Sequence, residues 1–420
     1  MPHLFLPCAG GVEPLLADEV TALLGRPAEA VRGGVFVEGD VVDAMRLNLW
    51  SRLAQRVLWP LVDGRYRDEH DLHDLARRVP WTDWITPAQT LRVDVQAQQS
   101  PLRSLNFVTL TVKDAVCDVV RERTGERPSV DTRHPTLPLV LYAGPDHATL
   151  YADTSGEALF KRGWRDAQGG RRDVKGEAPL KETLAAAMLA AAGWRGRAED
   201  GPLLDPCCGA GTIAIEAAEL ACGLAPGRLR RFAFEHWIAF APQRAAWARL
   251  RQEAADAAHA PAVPVFAGDV SFRMTDFAQR NAERAGVAHA IAFKTADALQ
   301  RPCPAPRGTM MLNPPYGERL APKGQGTRDL GRERGHANEA PAGGREAFEA
   351  GGDADAFFAA LASHWKRHYA GWTAWCLSPD MKLPTRMRLK ESRRVPMWNG
   401  PIECRLFRFD LVAGSMREGA

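Results

Sequence analysis

Leu203-Leu204-Asp205-Pro206-Cys207-Cys208-Gly209-Ala210-Gly211-Thr212-Ile213-Ala214 reads as the end of a buried strand, a tight turn and the start of a helix. The glycines let the backbone turn close to a ligand, and Thr212 to Leu220 carries helical apolar spacing. Gly209 to Ala214 formally fits the G-x-G-x-x-G/A dinucleotide fingerprint. Asp205-Pro206 ahead of the glycines points to a different ligand. A carboxylate there repels a pyrophosphate and suits a cationic or amino-bearing cofactor, such as the methionine end of S-adenosylmethionine (SAM).

The same texture repeats on the C-terminal side. Val263 to Phe266 leads into Ala267-Gly268-Asp269, Ile291 to Phe293 into Thr295-Ala296-Asp297, and Thr309 to Leu312 into Asn313. Apolar runs of strand length, each ending in polar residues and separated by helical stretches, predict an α/β fold with a parallel, doubly wound sheet. Ligands of such sheets sit beyond the carboxyl ends of the strands. Asp269 then suits ribose hydroxyls and Asp297 an adenine amino proton. Either acid alone reads as a solvated loop residue; the argument lies in their order at successive strand ends.

Asn313-Pro314-Pro315-Tyr316 follows the apolar Met310-Met311-Leu312. Two prolines fix the backbone, so the Asn313 side-chain oxygen and the Pro314 carbonyl offer acceptors for the two N–H donors of an exocyclic amine. Tyr316 supplies a ring on which a planar base stacks. With no strong base in the string, catalysis would rest on positioning and polarisation. The competing reading is an ordinary Asn-Pro turn.

Working outward, the N-terminal third is expected to be α+β. Leu4 to Leu6, Gly34 to Val37 and Leu91 to Val95 read as strands, Val12 to Leu24 and Phe107 to Val120 as helices, and Leu139 to Tyr142 with Ala148 to Tyr151 as a strand pair around Gly144-Pro145-Asp146. Leu180 to Ala192 is an Ala/Leu-rich helix ended by Gly193. Pro322 to Asp353, rich in Gly, Arg and Glu, is expected to be a disordered insertion. Order resumes with a helix around Ala356 to Tyr369 and closing strands at Trp372 to Leu377 and Cys404 to Leu411.

Composition sets limits. The chain has 420 residues, long for a single core, with 45% hydrophobic and 25% charged residues, which suits a globular protein of two or three domains. No apolar run approaches the ~20 residues that span a bilayer, and Met1 to Leu6 lacks a basic leader, so a cytoplasmic location without membrane attachment is expected. The eight cysteines form no CxxC pair, so neither a disulfide framework nor a metal site is expected. A net charge of +3 demands no nucleic-acid partner by itself; local clusters carry that case. Lys113, Arg121, Arg123, Arg127 and Arg133 form one cluster. Lys161, Arg162, Arg165, Arg171, Arg172 and Lys175 form a second, beside the catalytic region.

In this order the motifs resemble the class I SAM-dependent methyltransferases of the N-amino type. Asp153 to Glu157, Lys161-Arg162-Gly163-Trp164-Arg165, Glu177 to Leu184, Phe234-Glu235-His236-Trp237 and Asn399 to Cys404 extend the likeness to THUMP-domain RNA methyltransferases, in particular bacterial 23S rRNA guanine-N2 methyltransferases of the RlmL type. The resemblance implies a ferredoxin-like region (1–55), a THUMP-like RNA-binding domain (56–160) and a Rossmann-like methyltransferase domain (161–412). It implies SAM contacts at Asp205, Pro206, Gly209, Gly211, Thr212, Asp269, Asp297 and Asn313, and the target base at Asn313, Pro314, Pro315 and Tyr316; the two basic clusters themselves supply the RNA contacts expected at Lys113, Arg121, Arg127, Lys161, Arg162 and Arg165. One departure is Val270-Ser271, where relatives often carry a second acid. The substrate expected is 23S rRNA. A tRNA guanine-N2 methyltransferase, a DNA amino-methyltransferase, a catalytically silent RNA-binding factor and an NAD-linked oxidoreductase stay open as alternatives, in falling order.

Overall fold

The structure, a computed structural model, describes residues 1–165, 180–314 and 352–412, the side chains of 352–354 excepted. Pro315, Tyr316, Arg171, Arg172, Lys175 and nearly all of the expected insertion lie outside the described residues. Residues 352 and 353, expected within the insertion, instead open a helix.

The N-terminal half runs β1 (His3–Pro7), α1 (Glu13–Leu24), β2 (Glu29–Val31), β3 (Gly34–Glu38), α2 (Val41–Trp50), β4 (Leu58–Arg65), α3 (Glu69–Arg77), β5 (Thr90–Ala97), α4 (Leu105–Thr124), β6 (Ser129–Val130), β7 (Leu137–Ala143) and β8 (His147–Asp153). The predicted hairpin is β7–β8, antiparallel from Leu139↔Ala152 to Ala143↔Ala148. All eight strands share one sheet, ordered β2-β3-β1-β4-β8-β7-β5-β6. The regions expected to part at residue 55 are therefore continuous through β1 and β4, which meet at Phe5↔Leu58.

The C-terminal half runs α5 (Glu182–Ala192), β9 (Leu203–Asp205), α6 (Thr212–Ala221), α7 (Arg244–Asp256), β10 (Val265–Asp269), α8 (Phe272–Ala285), β11 (Ile291–Thr295), β12 (Gly308–Leu312), α9 (Gly352–His368), β13 (Trp372–Ser378), α10 (Leu383–Met387), β14 (Arg393–Asn399) and β15 (Ile402–Asp410). Its sheet is ordered β11-β10-β9-β12-β13-β15-β14. β11, β10, β9, β12 and β13 are parallel; β15 and β14 return antiparallel. The chain winds outward from β9 to β11, then crosses back to β12 on the other flank of β9. That reversal opens a crevice above the carboxyl ends of β9 and β12.

Helices pack both faces because successive strand residues point to opposite sides. Leu203 enters the core shared with α5 and α6, whereas Leu204 enters the core formed by Met310, Leu312, Leu361 and Trp365. α5 stops where Gly193 turns left-handed and donates to Ala190 O and Leu189 O. The two halves are joined by buried charges. Arg52 reaches Glu216 and Glu219 of α6 at 3.2 and 3.4 Å, and within the C-terminal half Arg228 also meets Glu219 at 2.7 Å. Among the described residues, no helix is long and apolar enough to cross a membrane.

Candidate cofactor and target-amine site

Strand register puts the predicted polar residues on one ledge. Asp205 pairs with Ala267, which places Asp269 two residues beyond its level on one side. Leu204 pairs with Met310, which places Asn313 equally far on the other. Asp269 pairs with Thr295, so Asp297 stands two residues further out again. Asp269 and Asn313 thus flank the turn 206–211, two strand spacings or roughly 10 Å apart.

The turn is clamped to β10. Cys208 N–H donates to Gly268 O at 2.7 Å, and Gly209 N–H donates to Asp269 Oδ2 at 3.1 Å. The other Asp269 oxygen accepts from Ser271 N–H at 2.9 Å. Gly209 and Gly211 have φ of 49° and 84°, a region that side chains disfavour. Around a Cβ at Gly209 lies only open space, whereas one at Gly211 would press on Ala278 at 3.0 Å. Gly209 therefore leaves room for a ligand, and Gly211 lets α8 pack against the turn. Asn281 of α8 donates to Ala210 O at 2.8 Å. Asp297 Oδ1 accepts from Leu299 N–H at 2.9 Å. Asn313 is half-buried and Pro314 buried.

Asp205 is 1% exposed and accepts from Cys207 N–H at 3.3 Å. Burial, with Asp269 nearby, pushes its carboxyl up to about 8. A buried carboxylate in that condition favours a cation beside it, and the acids of the ledge fit an amino-bearing, hydroxyl-rich cofactor. Burial also pushes the Cys207 and Cys208 thiols well up, which keeps them neutral. Among the described residues, no group of three or more His, Cys, Asp or Glu side chains is placed to hold a metal ion.

Residues 3–58 match the RlmL ferredoxin-like domain, 66–153 the THUMP domain and 169–346 the RMKL-like methyltransferase domain. The chain thus carries, in order, matches to a ferredoxin-like, a THUMP and an RMKL-like methyltransferase domain. Ribosomal RNA large subunit methyltransferase K/L of Syntrophotalea carbinolica is 35% identical over 411 residues, 96% of this chain and 52% of that protein. The protein of the same name from Allochromatium vinosum is 36% identical over 406 residues, 94% of this chain and 50% of its own. The chain thus spans about half the length of the curated relatives it matches. Among solved structures, one from Listeria monocytogenes, named a predicted N6-adenine-specific DNA methylase, is 27% identical with a TM-score of 0.78, covering 97% of this chain and 96% of that one. SMU.472, crystallised with SAH, has a TM-score of 0.80 at 24% identity over 99% of each chain, a likeness of fold.

The basic residues of the chain divide. Arg162, expected to bind RNA, is 2% exposed. Its Nε donates to Glu216 Oε1 at 2.9 Å and its other nitrogens to Leu159 O and Arg52 O at 2.9 and 2.8 Å. That expectation is corrected: Glu216 is fully buried on α6, and Arg162 is its counter-ion. Arg165 is partly buried, lies over the Trp164 ring, pairs with Glu182 and donates to Thr212 Oγ1 at the start of α6. It braces the turn from below. Lys161 pairs with Glu157, Arg121 with Asp118, and Lys113 and Arg127 with Asp114, all at or near the surface. Asn281 and the bracing role of Arg165 escaped the sequence reading. Their positions depend on contacts across loops and helices, for which the local string carries no signal.

Proposed function

We propose that the chain is a SAM-dependent methyltransferase acting on the exocyclic N2 amine of a guanine in 23S rRNA. The observation that carries this reading is the ledge itself: Asp205, Asp269 and Asn313 at adjacent strand ends around a glycine turn, at the crevice where the sheet reverses direction. SAM would supply an electrophilic methyl group on a sulfonium. Asp205 faces its amino-acid end. Asp269, already holding the turn, has lone pairs left for ribose hydroxyls, and Asp297 for an adenine amine. Asn313 and Pro314 accept the N–H donors of the target amine and orient its lone pair, while Tyr316 stacks the base. Lys113, Arg121, Arg127 and Lys161 would contact RNA phosphates, giving salt-dependent binding. The K/L name of the relatives supports ribosomal RNA as substrate, and a cytoplasmic setting goes with it.

The test is transfer of labelled methyl from SAM to unmodified 23S rRNA, tRNA and DNA offered separately, with nucleoside analysis. N2-methylguanosine in 23S rRNA alone supports the proposal. The same nucleoside in tRNA alone keeps the chemistry and overturns the substrate. A different methylated nucleoside overturns the target amine.

A further inference from the structure

Residues 222–243, between α6 and α7, do more than carry β9 over to β10. A crossover between parallel neighbours needs one helix, and α6 already supplies it. The extra residues leave the seven-stranded sheet and enter the N-terminal half. Trp237 is 1% exposed, and its Nε1 donates to Thr136 O at 2.8 Å. Ile238 N–H donates to Trp84 O at 3.2 Å, and Phe234 N–H to Thr154 O at 3.3 Å. Gln89 Nε2 donates to His236 O at 2.9 Å. The rings of Trp237 and Trp84 lie 5.7 Å apart, and those of Phe240 and Trp59 5.5 Å. Arg230, just ahead of this insert, holds the connecting segment by the carbonyls of Glu157, Ala158 and Lys161 at 2.6, 2.7 and 3.1 Å. These contacts draw residues 131–136, 154–161 and 230–238 into one seam between the halves. Both walls of the seam carry exposed bases, Arg133 and His134 on one, Lys161, Arg231 and His236 on the other. The carboxylates of the same segments are engaged. Asp131 accepts from Arg133 N–H and His134 N–H at 2.8 and 3.0 Å, Asp153 is buried against Arg56, Glu157 pairs with Lys161, and Glu235 accepts from Phe232 N–H at 2.8 Å. The guanidinium groups of Arg133 and Arg231 have no partner among the described residues. On α4, by contrast, Lys113 and Arg127 share Asp114, and Arg121 has Asp118.

We propose that this seam is an RNA-binding surface, on which the substrate strand crosses from one half to the other with one phosphate at Arg133 and another at Arg231. This rests on reading the chain as an RNA methyltransferase. A guanidinium with all its donors free matches a phosphate in shape as well as charge, whereas the α4 cations must first give up their acids. With a net charge of only +3 the chain has no general positive field, so phosphate binding falls to such local sets. The aromatic insert fixes the two walls against each other, so the spacing of the guanidinium groups is set before RNA arrives and costs little ordering on binding. The seam also lies close to the ledge. At most about 14 Å of chain leads from Lys161 to Arg165, whose guanidinium reaches Thr212 at the start of α6. A strand held at the seam is therefore within reach of the crevice.

The experiment is filter binding of unmodified 23S rRNA transcript to the full chain between about 50 and 200 mM KCl. The variants are Arg133→Ala, Arg231→Ala, the two together, and the two as Lys. Each single Ala change should lower the slope of log affinity against log salt by about 0.7–0.9, and the pair by about 1.4–1.8. The double Lys variant should keep the wild-type slope. Thermal unfolding and calorimetric SAM affinity should match wild type throughout, because both side chains are exposed. RNA binding with an unchanged slope in the double Ala variant would overturn the seam and leave the proposed function standing. A slope that falls at only one of the two positions would confine RNA to one half and overturn the crossing. A slope that falls as far with Lys as with Ala would remove the phosphate contacts. No RNA binding by the wild-type chain would overturn the seam and the RNA reading together.

Discussion

Replacing Asp205 by Asn should make the apo protein more stable, increasingly so as pH rises. The side chain is 1% exposed, and its carboxyl is pushed from 3.8 to about 8 by burial first and by Asp269 second. The unfolded chain ionises near pH 4 and the folded one only near pH 8. Below pH 4 both forms are protonated, and Asp205 imposes no electrostatic cost. Between pH 4 and 8 the unfolded state is favoured by about 1.4 kcal/mol per unit. The accumulated penalty is about 1–2 kcal/mol at pH 5 and about 4 kcal/mol at pH 7. Asn is a neutral isostere that keeps an acceptor for Cys207 N–H, so it escapes the penalty. Urea unfolding of the apo protein at pH 5 and pH 7 measures both values. SAM affinity should fall at least tenfold at pH 8, where wild-type Asp205 is half ionised. A stabilisation that is absent, or the same at both pH values, would refute the reasoning, because only a titrating carboxyl produces the slope.

Asn313→Ala should abolish methyl transfer while SAM affinity stays within about twofold, since the proposed function puts Asn313 on the target amine; loss of SAM binding by calorimetry would sink that role. Asp269→Ala removes the acceptor of Gly209 N–H and Ser271 N–H, so SAM affinity should fall more than tenfold, and unchanged affinity would mean that another acid holds the ribose. Arg162→Met leaves buried Glu216 with only Arg52, itself shared with Glu219, as counter-charge, which should cost about 3 kcal/mol in denaturant unfolding, the low end for breaking a buried pair. The salt dependence of RNA binding by the folded fraction should not change; a reduced slope would restore Arg162 to the RNA interface.

The chain's local chemistry wrote the C-terminal half into the sequence. Asp205, Asp269, Asp297 and Asn313 follow short apolar runs, and a strand end followed by a polar residue is a local event. The turn at Gly209 and Gly211 and the stop at Gly193 are likewise local, because positive φ belongs to the residue itself. β14 was missed for a local reason too. Arg393-Arg394-Val395-Pro396 reads against a strand, yet β14 lies at the sheet edge, where proline and charge are tolerated.

Only the tertiary structure decided what each charge does. Arg162 stands beside Lys161 in one basic run, but Lys161 faces solvent and Arg162 is buried against Glu216, fifty-four residues away. Arg165 ends in the brace of α6. The single eight-stranded sheet in the N-terminal half depends on β1 meeting β4 and β4 meeting β8. Pairing and burial are long-range events, set by which elements the fold brings together. The sequence by itself determined where the strands end and which polar groups stand there; the packing of distant segments decided which of those charges are buried, paired or left facing one another.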